Sequence, residues 1–187
     1  MTTLFTHTWY RAQITDVDDI VNMAQQHFQR EIDTVFTPDP KAYARNLVYA
    51  VVNQSYQPET ELLTVCRSSQ GTLMAYNWAR AMDRAFWSDD LMVNVRMVHV
   101  DLNLNTRLRL HLINEMMQQW EFLARISGNP IICSTTMRHD QAAFLRLHLR
   151  QGYSVRGSYA YKRISVESTA TSKDDAQSPG HDPVHSC

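Results

Sequence analysis

The stretch 91–105 constrains the fold more than any other part of the chain. Leu91, Val93, Val95 and Met97 put apolar residues at odd positions, with Asn94 and Arg96 between them. The phase then flips: Val98, Val100, Leu102 and Leu104 are apolar, with His99, Asp101, Asn103 and Asn105 between. Side chains alternate strictly along a strand, so Met97 and Val98 cannot face one side unless an extra residue is inserted. A β-bulge at Met97-Val98 is the economical solution. A strand buried on both faces is the other, and needs no bulge.

A long helix follows. Leu112, Ile113, Met116, Met117, Trp120, Leu123 and Ala124 recur at helical spacing, the pattern of core packing, and Gly128-Asn129-Pro130 stops the run. Leu108, Leu110 and Leu112 prolong the strand's alternation, so the start is ambiguous; Thr106 can cap a helix, and the start is placed there. Ile131-Ile132-Cys133-Ser134 reads as a short buried strand. A second helix is expected over 140–151, with Gly152 suited to its C-terminal cap, although Leu145, Leu147 and Leu149 also fit a strand. Two last strands are expected at 153–156 and 158–164.

Upstream, a short strand at 9–14 precedes Thr15-x-x-Asp18, which resembles a capping box and opens a helix from about Asp16. Asp39-Pro40 is a second helix start, with Asp as cap and Pro preset for the first turn. Strands at 61–67 and 72–81 flank Ser68-Ser69-Gln70-Gly71, which has hairpin-turn chemistry. The order is therefore β-α-α-β-β-β-α-β-α-β-β, an α/β chain with a mixed sheet.

The chain's 187 residues suit one domain, and a 44% apolar and aromatic content supplies a core. From Ser165 the chain turns polar and rich in Ser, Thr, Asp and Pro, too poor in apolar surface to offset its ordering entropy. The expected organisation is a flexible 1–8, a domain at 9–164 and a disordered tail at 165–187. A formal net charge of −1 argues against a dedicated nucleic-acid or anionic-membrane binder. The first residues lack the basic and apolar regions of a signal peptide, and no run approaches the roughly 18 apolar residues of a membrane span. Cys66, Cys133 and Cys187 share no C-x-x-C spacing and read as reduced thiols, so a cytoplasmic protein is expected.

The strand order, with its bulged fourth strand before the longest helix, resembles the GCN5-related N-acetyltransferase (GNAT) fold. The end resembles that family's closing motif: Gln141-Ala-Ala-Phe-Leu-Arg-Leu-His-Leu-Arg-Gln-Gly152-Tyr153 has the shape of Asn-x-x-Ala-x-x-x-Tyr-x-x-x-Gly-Phe. The resemblance covers about residues 9–164. Compact, glycine-poor sequences of this sort also look like proteins of tailed phages.

The resemblance implies an acetyl-CoA site. The bulge would part the fourth and fifth strands, with Met97, Val98 and His99 lining the slot and backbone N–H groups polarising the thioester. The pyrophosphate would sit at the next helix's N-terminus, on Arg107, Leu108 and Arg109. The family's loop there carries glycines; this chain has none from Asp101 to Ser127. Arg107 and Arg109 read equally as solvent-facing charges. His99 and Asp101 are candidate bases, against the plainer reading of a strand's polar face. His148 stands where the family has its acid tyrosine, and histidine can donate a proton near neutrality. A helical histidine is otherwise an ordinary surface residue.

No metal site is expected: the eight histidines make no HExxH, and His181 and His185, four apart, fall in the tail. Walker, GxGxxG and GxSxG motifs are absent. The expected function is acetyl-CoA-dependent N-acyl transfer, through a ternary complex, to a small-molecule or protein amine. The alternative is a non-catalytic GNAT-shaped structural or interaction protein, as in a tailed phage. The acceptor would lie by residues 29–41 and 83–90, where Phe86 and Trp87 form an apolar lip or merely pack.

Overall fold

The computed structural model describes residues 6–31, 37–84, 88–136 and 141–156. Strand β1 (His7–Arg11) leads through a short 3₁₀ turn into α1 (Val17–Glu31) and α2 (Pro40–Tyr56). The hairpin β2 (Glu61–Ser68) and β3 (Leu73–Arg84) follows, then β4 (Leu91–Val100), α3 (Thr106–Ser127), β5 (Ile131–Ser134) and α4 (Ala142–Arg150). The five strands lie side by side in chain order; β1 to β4 are antiparallel, and β4 and β5, joined through α3, are parallel. This is the expected order as far as α4. Residues 153–156, expected as a strand, form no strand pairing among the described residues. The last expected strand, the 164/165 boundary and the tail lie outside them.

Both faces of the sheet are covered. On one, Leu62, Cys66, Ala75, Ala79, Val93 and Val95 pack under Leu112, Met116, Met117, Trp120 and Leu123 of α3. On the other, Leu63, Val65 and Tyr76 pack under Ile20 of α1 and Leu47, Ala50 and Val51 of α2. No helix among the described residues is long and apolar enough to cross a membrane.

The caps show how local chemistry sets these elements. Asp39 Oδ1 accepts the Ala42 N–H at 3.0 Å with Pro40 as the first helical residue, as its sequence suggested. The turn into α1 is held otherwise than expected. Asp16, not Thr15 or Asp18, is the capping acid: its buried carboxylate takes the Gln13 N–H at 2.9 Å and pairs with Arg67 at 2.7 Å. Helix α3 does begin at Thr106, but its cap is Asn105, whose side chain accepts the Leu108 N–H at 2.9 Å. Gly128 ends α3 at φ 68°, a left-handed conformation that glycine adopts without steric cost.

The phase flip in β4 has a structural cause. The β3–β4 register runs Ala75↔Val100, Tyr76↔His99, Asn77↔Val98 and Trp78↔Met97, then shifts to Ala79↔Val95. The extra residue is Arg96, one position before the expected bulge. It places Val93, Val95, Val98 and Val100 all toward α3. Met97 packs against the opposite core, which is why the apolar pattern alone misplaced the bulge.

Candidate active site

β5 is only four residues long and pairs with β4 from Met92↔Ile131 to Val95↔Ser134. Beyond that pair β4 passes its bulge and continues to Val100 with β3 as its partner among the described residues. A cavity of about 340 Å³ opens there. Residues 95–100 of β4 form its floor, Thr106, Arg109, Leu110 and Ile113 of α3 one wall, and Thr135, Thr136, Ala143, Phe144 and Leu147 the other.

The register decides which backbone groups face the cavity. Asp101 N–H donates to Met74 O at 2.8 Å across the directly opposite position. In an antiparallel ladder, bonded and non-bonded pairs alternate. His99 and Met97 therefore spend their backbone groups on β3, whereas Val98 and Val100 turn theirs toward the β5 side, into the gap. Val98 thus offers an N–H donor where the strands part, and His99 does not.

On α3, Arg109 is the arginine that reaches the cavity. Its Nε is buried with no hydrogen-bond partner among the described residues, and its Nη2 makes a long contact, 3.5 Å, to Thr106 Oγ1. Arg107 is exposed and does not line the cavity. Leu108 does not line it either: its side chain is in the core, and its N–H is already taken by Asn105. Helical rotation explains the split, since positions 106, 109, 110 and 113 share one flank and Leu108 lies one turn before Leu112 on the core stripe.

His99 is 6% exposed at the cavity floor and lies flat on Tyr76, ring centroids 5.0 Å apart at 5°. Tyr76 in turn exchanges a hydroxyl hydrogen bond with Tyr43 at 2.9 Å. Burial pushes the Tyr43 phenol above its usual range, against the pull of that bond. Asp101 lies elsewhere: it accepts from the Asn103 backbone and side chain at 2.9 and 3.0 Å and borders a second hollow beside Asp19 and Arg67.

His148 does not line the cavity. It is 4% exposed, Nδ1 donates to Phe144 O at 2.9 Å, and Nε2 accepts from Ser134 Oγ at 3.0 Å. Burial lowers its pKa, with the Phe144 carbonyl pulling the other way, so the ring is neutral at pH 7. Tyr153 packs edge-on against it at 4.9 Å; burial, helped by the charge of Glu121, pushes that phenol up to about 12. Of the residues expected at the site, Met97, Val98, His99 and Arg109 come together; Arg107, Leu108, Asp101 and His148 do not. Thr135, Thr136, Phe144 and Leu147 were missed, because nothing local in the sequence marks the far side of a gap between parallel strands.

No family model matches this chain, and no curated protein matches it by sequence. Solved structures do. An Arabidopsis thaliana glucosamine-6-phosphate N-acetyltransferase aligns with TM-score 0.61 at 12% identity, over 86% of this chain and 99% of its own. An aminoglycoside N-acetyltransferase in complex with CoA aligns with TM-score 0.64 at 10% identity, over 89% and 99%. A predicted acetyltransferase with acetyl-CoA from Clostridium acetobutylicum aligns with TM-score 0.60 at 8% identity, over 84% and 96%. With the cavity lying where β4 and β5 part, these likenesses show that the chain has the fold of the GCN5-related N-acetyltransferases.

Proposed function

We propose that this chain transfers an acyl group from acetyl-CoA to an amine by direct transfer. The observation that carries the reading is the gap between β4 and β5 beyond Val95 and Ser134, floored by backbone whose Val98 N–H is turned into it. The residues present also suit an anionic cofactor: the buried Nε of Arg109, without a partner among the described residues, stands beside the N-terminus of α3, where helix amides favour phosphate. Bound there, acetyl-CoA would supply a thioester-activated acyl group. Val98 would donate its N–H to the acyl oxygen and Arg109 its guanidinium to phosphate. His99, stacked on Tyr76, would take the amine's proton, directly or through water, and CoA would leave as its thiolate to be protonated by solvent.

Calorimetry with acetyl-CoA tests the cofactor. Micromolar binding is expected, weakened at least tenfold by Arg109→Glu, since a charge-assisted hydrogen bond contributes roughly 1.5–3 kcal/mol. The exposed Arg107→Glu should weaken it much less. No binding at millimolar cofactor would sink the proposal.

One observation supports a non-catalytic reading of the same fold: the residue in the acid position is a buried, neutral His148 with both nitrogens engaged. In the catalytic reading His148 braces Ser134 and α4 and donates no proton. His148→Phe should therefore keep kcat within about threefold while costing roughly 1–3 kcal/mol of stability from two lost hydrogen bonds. A hundredfold fall in kcat at unchanged acetyl-CoA affinity would restore it as the acid.

A further inference from the structure

A second cluster of chemistry lies on the other flank of α3. His111 and Glu115, one helical turn apart, point toward the edge strand β1, and His7 comes from β1 itself. His7 Nε2 is 2.8 Å from Glu115 Oε2, and His111 Nε2 is 3.3 Å from Oε1 of the same carboxylate. The three ligand atoms all lie within 4.8 Å of one another. His7 is 7% exposed at its side chain, Glu115 26% and His111 50%, so the cluster is closed toward the sheet and open toward solvent.

We propose that His7, His111 and Glu115 form a binding site for a divalent transition-metal cation of the zinc type. The donor set decides the class: two imidazoles and a carboxylate suit zinc and its neighbours, whereas magnesium and calcium take oxygen ligands. The spacing fits. Ligands about 2.0–2.2 Å from a tetrahedral ion stand about 3.3–3.6 Å from each other; the His111 contact of 3.3 Å lies at the lower end of that range, and the His7 contact of 2.8 Å must lengthen to reach it. Trp9 donates its Nε1–H at 2.9 Å to Glu115 Oε2, the oxygen that His7 also faces, and so orients the carboxylate. Nδ1 of His7 is buried with no partner among the described residues, so all the hydrogen bonding of that ring runs through the nitrogen that faces the cluster.

The site is separate from the acyl slot but shares a helix with it. Arg109 and Ile113 face the slot, while His111 and Glu115 face β1. A cation there would tie the first turns of α3 to the far edge of the sheet. The sequence reading expected no metal because the third ligand lies 104 positions away from His111.

The test uses the full chain, stripped with a chelator, dialysed and titrated with zinc chloride alone in a calorimeter. One equivalent should bind at micromolar or tighter affinity and raise Tm by several degrees. His111→Ala, on a half-exposed helical position that the fold tolerates, and Glu115→Gln, which can still accept from Trp9, should each weaken binding at least tenfold and remove the Tm rise. His181→Ala with His185→Ala should leave both unchanged. The proposal is overturned if no zinc binds at submillimolar concentration, if His111→Ala binds as the parent does, or if the tail double variant abolishes binding.

Discussion

Val98→Pro should lower acyl transfer by about 10²–10³-fold while the protein stays folded and still binds acetyl-CoA. Proline removes one N–H, and at Val98 that N–H is turned into the gap rather than spent on β3. Loss of a single backbone or side-chain donor from an oxyanion site costs roughly 2.7–4 kcal/mol of transition-state stabilisation, which sets the size of the effect. The position is also one where a strand tolerates proline: it follows a bulge, and its N–H side carries no strand among the described residues. The neighbouring residue supplies the contrast. His99 spends its N–H on β3 opposite Tyr76, so His99→Pro should break the ladder and cost about 3 kcal/mol or more of stability. CoA thiol release in the presence of a panel of amines, beside thermal melts of both variants, reads the two outcomes. A Val98→Pro protein that melts with the parent and turns over at the parent's rate would remove this amide from the mechanism.

The contrast between Val98 and His99 was only half legible in the sequence. The flip from odd to even apolar positions did announce an inserted residue. It could not say which residue, because Met97 is apolar for a different reason: it packs against the α1–α2 core. An apolar pattern reports that a side chain is buried, and in a sheet covered on both faces it does not report on which face. Once the extra residue is Arg96, the ladder bonds fall to odd positions, and Val98 rather than His99 faces the gap.

The α3 end of the site was misread for a reason the sequence already contained. Leu108 lies four residues before Leu112 and eight before Met116, so it extends the core stripe and cannot also line a phosphate site. Continuing the helical period backwards from Trp120 would have left Arg109 as the inward-reaching arginine and Arg107 as the exposed one. His148 is a different case. Its place in the motif is visible in the chain, but its burial depends on Ser134, Trp120 and Tyr153, which the fold gathers from three other segments. The His7–His111–Glu115 cluster is the extreme of this kind, since only the sheet order brings β1 under α3.

The largest stability effect should come from Trp120. It is fully buried, and its Nε1–H donates to Asn77 Oδ1 at 2.7 Å, with Asn77 itself fully buried in the middle of β3. Asn77 Nδ2 reaches Gln119 Oε1 at 3.3 Å, and Gln119 Oε1 also accepts from Thr64 Oγ1 at 2.7 Å, so one polar chain crosses the core under α3. Trp120→Ala removes packing worth about 3–5 kcal/mol. It also strands the Asn77 oxygen, at about 1–3 kcal/mol. The sum rivals the roughly 5–15 kcal/mol by which a domain is stable at all, so this variant should show no cooperative melt or one shifted far below the parent's. Trp120→Phe separates the two contributions, keeping much of the packing and losing the hydrogen bond, and should cost roughly 2–4 kcal/mol. Adding Asn77→Leu should then recover part of that loss, because an apolar pair leaves no buried oxygen unpaired. If the double variant is instead less stable than the sum of its single changes, the bond between Trp120 and Asn77 is not what holds α3 to the sheet. The position of Arg109 three turns upstream would then have to be fixed by the Asn105 cap and the leucine stripe alone.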